Sequence, residues 1–125
     1  SKLIRLKKNK KNIRSQIIFE EDMINKDIKR VNVVEATSIL KSGTVTIVDI
    51  RDRQSFEIDH IQDAQHVSDE NTQTFMDKAN KEQPLLVYCY HGNSSQTAAK
   101  YFSKNGFNQV YSLDGGFDIW KSKHN

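Results

Sequence analysis

The chain contains one cysteine and one proline in 125 residues. A single cysteine cannot close an internal disulfide, so the fold rests on packing, and a reducing compartment, the cytoplasm, is the expected location. No apolar run approaches the length of a membrane span, and no n-region, h-region and cleavage site occur in order, so neither a membrane segment nor a secretory signal is read in this chain. There is no internal repeat and no low-complexity segment outside the first residues. What remains is ordinary for a soluble domain with a real core: 36% hydrophobic and 28% charged residues.

The formal net charge of +3 hides an asymmetry. Lys2, Arg5, Lys7, Lys8, Lys10, Lys11 and Arg14 stand in a stretch with no acid. Setting aside those seven cations leaves 12 basic against 16 acidic residues, a net of −4. Residues 1–27 therefore read as a basic extension, partly ordered or flexible, and residues 28–125 as the folded domain. The extension lacks the interleaved aromatics that stack on bases, so a solvated tail is preferred over nucleic-acid binding.

From Lys29 onward strand-like and helix-like segments alternate. The expected strands are Arg30–Val33, Thr44–Ile50, Gln65–Val67, Leu85–Cys89 and Gln109–Leu113. Thr44–Ile50 and Leu85–Cys89 are continuous apolar runs, the mark of strands buried on both faces. The expected helices are Val34–Lys41, Gln54–Ile58, Asn71–Asn80, Gln96–Asn105 and a last one bearing Phe117 and Trp120. Inward positions are Ala36, Ile39, Leu40, Phe75, Met76, Ala79, Ala98, Ala99, Tyr101 and Phe102, and Gly43 and Gly106 close their helices. Alternation of this kind predicts an α/β fold: a central, mostly parallel sheet of about five strands with helices on both faces.

The lone cysteine stands where an apolar strand runs into a polar loop: Cys89-Tyr90-His91-Gly92-Asn93-Ser94-Ser95. A thiol there can sit in a cup of backbone N–H groups at the positive end of the following helix. Such a setting lowers a cysteine pKa and holds an anion beside the sulfur. A cysteine after a buried strand is more often an inert core residue, but the Gly-Asn-Ser-Ser continuation favours chemistry. Asp49 and Arg51 fall at the carboxyl end of a central strand, where α/β sites gather, and read as an ion pair bracing the loop. Arg53 is a candidate for a basic rim. His60, His66 and His91 have no zinc-like spacing, so no metal is expected.

Four stretches resemble the rhodanese family, most closely its single-domain GlpE-type thiosulfate sulfurtransferases. Val48-Asp49-Ile50-Arg51-Asp52 is similar to the family's D-x-R signature. His60-Ile61-Gln62-Asp63-Ala64 is similar to its G-H-I-x-G-A turn, with Asp59 and Asp63 where glycines are usual. The Cys89 loop matches the family's active-site loop, and Leu113-Asp114-Gly115-Gly116-Phe117-Asp118-Ile119-Trp120 its L-x-G-G-x-x-x-W segment. The resemblance spans residues 30–121.

It implies a rhodanese-like fold, no cofactor, and transfer of sulfane sulfur from thiosulfate through a Cys89 persulfide to cyanide or a thiol, by ping-pong kinetics. It also implies that Tyr90, His91, Gly92, Asn93, Ser94 and Ser95 bind substrate. Ser94 and Ser95 are expected to cap the next helix. A protein thiol is one acceptor to consider. The competing enzyme class, phosphatases and arsenate reductases with a Cys-x5-Arg loop, is disfavoured: Ser95 stands where the arginine would be, and no arginine follows Cys89. The other alternative is a non-catalytic persulfide carrier or regulatory binding module.

Overall fold

A computed structural model describes residues 28–124. The basic extension over residues 1–27 lies outside the described residues. The strands are β1 (Ile28–Val31), β2 (Thr46–Asp49), β3 (Gln65–His66), β4 (Leu85–Tyr88) and β5 (Val110–Leu113), and the helices α1 (Val33–Ser42), α2 (Arg53–Ile58), α3 (Thr72–Lys78), α4 (Ser94–Lys104) and α5 (Gly116–His124). They form one sheet in the order β1-β5-β4-β2-β3, with every pairing parallel. The expected α/β architecture is present.

The two-residue period of a strand divides the core between the faces of the sheet. Leu86 and Tyr88 of β4 point into one cluster with Ile47, Leu113 and Phe117. Leu85 and Val87 point into the other with Val48, Phe102 and Phe107. All four residues of β4 are buried, which explains why its sequence is apolar without alternation. Each large side chain buried this way contributes on the order of 1.5–3 kcal/mol. Pro84 sits at the strand entrance, where its carbonyl accepts from the Thr46 N–H at 2.9 Å and its missing N–H costs nothing.

The structure departs from the sequence reading in local ways. β1 begins at Ile28 and ends at Val31 because Asn32 is a helix cap. Its Oδ1 accepts the Glu35 N–H at 2.8 Å and Glu35 Oε1 accepts the Asn32 N–H at 2.9 Å, a capping box that starts α1 at Val33. Gly43 follows α1 in an extended conformation, φ 168°, which any residue adopts, so no left-handed cap forms there. Tyr101 is 47% exposed; only Ala99 and Phe102 of its stripe are fully inward. At the turn before β3, Asp59 is extended (φ −165°) and needs no glycine. Asp63 does occupy the left-handed region, φ 70°, which aspartate tolerates better than most residues. The turn closes without either glycine: Ala64 N–H donates to Ile61 O at 2.9 Å.

Candidate active site

In a parallel sheet all strands point one way, so the loops after β2, β4 and β5 emerge at the same edge. β4 lies between β2 and β5. Its loop, beginning at Cys89, is therefore flanked by Arg51-Asp52 on one side and Asp114-Gly115-Gly116 on the other.

Cys89 is 7% exposed. The Gly92 and Ser95 N–H groups donate to its Sγ at 3.2 and 3.3 Å. Ser95 belongs to the first turn of α4, so the sulfur takes the place of a helix cap. The serine hydroxyls do not cap: Asn93 precedes the helix with no side-chain capping bond, and the Ser95 hydroxyl instead lies 2.8 Å from that of Ser112 on β5. Burial by itself pushes the Cys89 thiol up. The Ser95 hydroxyl and the amides of Ser95, Gly92 and His91 outweigh it and hold the thiol below its ordinary value.

The loop is held from behind by the start of α5. Phe117 N–H donates to Cys89 O at 2.7 Å and Asp118 N–H to Tyr90 O at 3.1 Å. Turning the Tyr90 carbonyl toward α5 leaves the His91 amide facing the sulfur. Close approach depends on the glycine pair. A Cβ on Gly116 (φ 60°) would stand 2.4 Å from both Cys89 O and Tyr90 O. A Cβ on Gly92 (φ 94°) would stand 2.8 Å from Gly115 N. The L-x-G-G segment is thus the backing of the cysteine loop, a role its distance in sequence conceals.

Asp49 and Arg51 form a buried pair, with side chains 0% and 3% exposed. Arg51 Nη2 donates to Asp49 Oδ2 at 2.7 Å and Nε to both carboxylate oxygens at 3.1 Å. Arg51 Nη2 also donates to Asp59 O at 2.6 Å. Its guanidinium lies over Phe117 at 4.2 Å and Tyr90 at 5.3 Å. Burial disfavours the charged guanidinium, but Asp49 more than compensates and raises its pKa. Tyr88, also buried, accepts the Ile61 N–H at 3.1 Å, and burial first, then Asp49, pushes its phenol pKa up. The pair faces the underside of the loop.

Above Cys89 opens a cavity of about 310 Å³ lined by Ile50, Arg51, Asp52, Tyr90, His91, Asn93 and Ser94. Tyr90, His91, Asn93 and Ser94 therefore border one space with the sulfur, while Gly92 and Ser95 serve it through their amides. The sequence reading missed Asp52 and Ser55. Asp52 caps α2, accepting the Ser55 N–H at 3.0 Å, and the Tyr90 hydroxyl donates to Asp52 Oδ1 at 3.1 Å and meets Ser55 Oγ. The available signal was that Arg51-Asp52 and Cys89-Tyr90 each follow one of the two strongest apolar strands. Arg53 forms no basic rim: its Nε pairs with Glu57 at 3.2 Å on the exposed face of α2.

The sequence pattern of the Rhodanese-like domain matches residues 32–123, a stretch that includes the strand ends, the cysteine loop and its glycine backing. The chain belongs to the rhodanese-like family. It is 46% identical over 96 residues to the thiosulfate sulfurtransferase GlpE of Coxiella burnetii (strain RSA 331 / Henzerling II), covering 77% of this chain and 90% of that one. Among solved structures it is similar to a Rhodanese-like domain protein from Staphylococcus aureus (TM-score 0.65, 24% identity, 74% and 90% coverage). It is also similar to a protein of unknown function from Rhodopseudomonas palustris CGA009, described as a possible tyrosine phosphatase (TM-score 0.67, 26% identity, 94% and 95% coverage).

Elsewhere on this rhodanese-like domain the histidines do structural work. His60 stacks on Phe56 at 3.9 Å and its Nδ1 lies 2.6 Å from Phe56 O. His66 Nε2 lies 2.5 Å from Arg51 O, tying β3 to the loop after β2. No group of three or more His, Cys, Asp or Glu that could hold a metal occurs among the described residues. No helix among them is long and apolar enough to cross a membrane. A larger hollow, about 820 Å³, lies alongside between α3 and α4; no thiol lines it, so chemistry rather than size singles out the smaller cavity.

Proposed function

We propose that the protein is a thiosulfate sulfurtransferase in which Cys89 carries the transferred sulfur. The observation that carries this reading is a thiol held below its ordinary pKa by amides and a hydroxyl at the floor of an open cavity. The Cys89 thiolate attacks the outer sulfur of thiosulfate, the sulfur–sulfur bond breaks, and sulfite leaves with its electron pair. The enzyme-bound product is an anionic persulfide, whose terminal sulfur the same ring of donors can stabilise. Cyanide or a thiol then removes that sulfur and restores the thiolate, a double displacement. The acceptor in the cell is a thiol, on a small molecule or a protein, and the setting is the cytoplasm, where a lone reactive cysteine stays reduced.

Phosphatase chemistry lacks its main electrostatic part. A phosphate-binding cysteine loop needs a guanidinium grip on the oxyanion, and Arg51, the guanidinium nearest the loop, is engaged by Asp49 and Asp59 O.

Mass measurement of the intact protein after thiosulfate tests the reading. One extra sulfur atom on Cys89, removed by cyanide, is the expected result. Sulfur acquired only from a donor protein would instead support a persulfide carrier.

A pH profile tests the source of the activation. The reaction needs thiolate, so kcat/KM for thiosulfate rises with pH through the Cys89 pKa and is level above it. Because that pKa is depressed, the rise lies below the ordinary thiol range of about 8.5. Ser95→Ala removes a donor to the sulfur and moves the rise to higher pH, lowering kcat/KM below the rise by about tenfold for each pH unit of displacement, while the plateau at high pH changes little. An unmoved profile would assign the depression to the backbone alone.

A further inference from the structure

The charges around the Cys89 cavity are unusual for a site that takes a dianion. Arg51 is the one Lys or Arg bordering it among the described residues. Its guanidinium is bound to Asp49 and Asp59 O and lies beneath the Tyr90 ring. His91 stands at the rim with its Nδ1 3.8 Å from Asp118 Oδ2, both side chains about 70% exposed. Asp52 faces the cavity as a carboxylate held by hydrogen bonds alone: the Ser55 N–H at 3.0 Å, the Ser55 hydroxyl at 2.9 Å and the Tyr90 hydroxyl at 3.1 Å. No cation neutralises it among these partners. Capping does not require that charge, because asparagine caps a helix as well as aspartate does.

We infer that Asp52 is a specificity-determining residue that ranks sulfur donors by charge, weighing against the thiosulfate dianion more than against singly charged thiosulfonates, R–SO2–S⁻. The inference rests on the sulfurtransferase reading above and sharpens its substrate class. The chemistry is unchanged. The Cys89 thiolate attacks the terminal sulfur of the thiosulfonate, the sulfur–sulfur bond breaks, and a sulfinate R–SO2⁻ departs with the electron pair. The persulfide forms with no outside oxidant or reductant. A fixed negative charge at the mouth penalises a doubly charged donor about twice as much as a singly charged one, in free-energy terms. Its exposure lets salt weaken the penalty.

The test compares wild type with Asp52→Asn, whose Oδ1 keeps the cap on the Ser55 N–H while its NH2 donates to the Tyr90 and Ser55 hydroxyls in place of the carboxylate oxygen that accepted from them. At low ionic strength the variant is expected to raise kcat/KM for thiosulfate by about threefold, through KM, and for methanethiosulfonate by about 1.7-fold, the square root of that factor. Both gains shrink toward unity at about 0.5 M salt. Alkylation of Cys89 supplies a readout free of turnover: at a pH where the thiol is fully ionised, iodoacetate, an anion, reacts about 1.7-fold faster with the variant, and neutral iodoacetamide reacts at the wild-type rate. Equal gains for both donors, no gain at low salt, or equal acceleration of both alkylating agents would overturn the inference. Failure of either donor to place sulfur on wild-type Cys89 would overturn the sulfurtransferase reading, and the alkylation pair would still decide the role of Asp52.

Discussion

Cys89→Ser is expected to lose sulfur transfer by at least about 10⁵-fold and to remain folded. Enzymes accelerate their reactions by about 10⁶-fold or more, and here the whole acceleration passes through a covalent bond to one sulfur atom. A serine hydroxyl is neither ionised near neutral pH nor able to hold sulfane sulfur. It can still accept the Gly92 and Ser95 N–H groups that Sγ accepts at 3.2 and 3.3 Å, so the loop keeps its partners and stability changes by no more than about 1 kcal/mol. Cys89→Ala is the instructive contrast. It is equally inactive, but it leaves those two amides without an acceptor at a nearly buried position, at a cost of about 1–3 kcal/mol for each buried orphan. For a domain of this size 1 kcal/mol corresponds to about 4–8 °C in Tm. Thermal unfolding should therefore rank wild type and Cys89→Ser close together and Cys89→Ala below both. Appreciable turnover in Cys89→Ser would end the persulfide mechanism. An alanine variant as stable as the serine one would show that the amides do not depend on the sulfur.

The sheet and the nucleophile were readable in the sequence because both are written locally. Leu85–Tyr88 and Thr46–Asp49 are buried on two faces, so continuous apolar runs announce them, and the loop after the stronger one carries the only thiol. Three parts of the site were hidden. The backing of the loop by Phe117 N–H and Gly116 joins residues separated by one helix, α4, and one strand, β5. The Asp52–Ser55–Tyr90 cluster exists because β2 and β4 are neighbours in the sheet, which no local pattern states. Arg53 reads in sequence as a rim cation, yet it ends exposed beside Glu57, whereas Arg51 is buried on Asp49 as the spacing of that pair suggests. The difference is set by which residue of the loop after β2 turns back under Phe117. Strand bounds slipped for a simpler reason: Asn32 and Glu35 close a capping box that overrides the β-branched pair Val33-Val34.

Asp49→Ala is expected to destabilise the domain by about 4 kcal/mol or more, the largest loss from any single substitution at the site. Breaking a buried ion pair from one side leaves an uncompensated charge and typically costs about 3–5 kcal/mol. Here the carboxylate also accepts the Arg51 N–H at 2.8 Å and interacts with the buried Tyr88 phenol, so its removal strands more than the guanidinium. With total stability of about 5–15 kcal/mol for such domains, Tm should fall by at least about 15 °C. Arg51→Met costs somewhat less, about 3 kcal/mol, because Asp49 keeps the Arg51 amide while Asp59 O loses its donor at 2.6 Å. The two changes together should cost less than their sum by about 1–3 kcal/mol, the signature of residues acting as a pair. Activity separates a brace from a catalyst. Measured well below its Tm, Arg51→Met should retain kcat/KM within about tenfold of wild type, since the guanidinium bears on the chemistry only by supporting Phe117 and Tyr90. A loss of about a thousandfold in folded protein, the scale of a deleted oxyanion donor, would place the Arg51 charge in the transfer step itself.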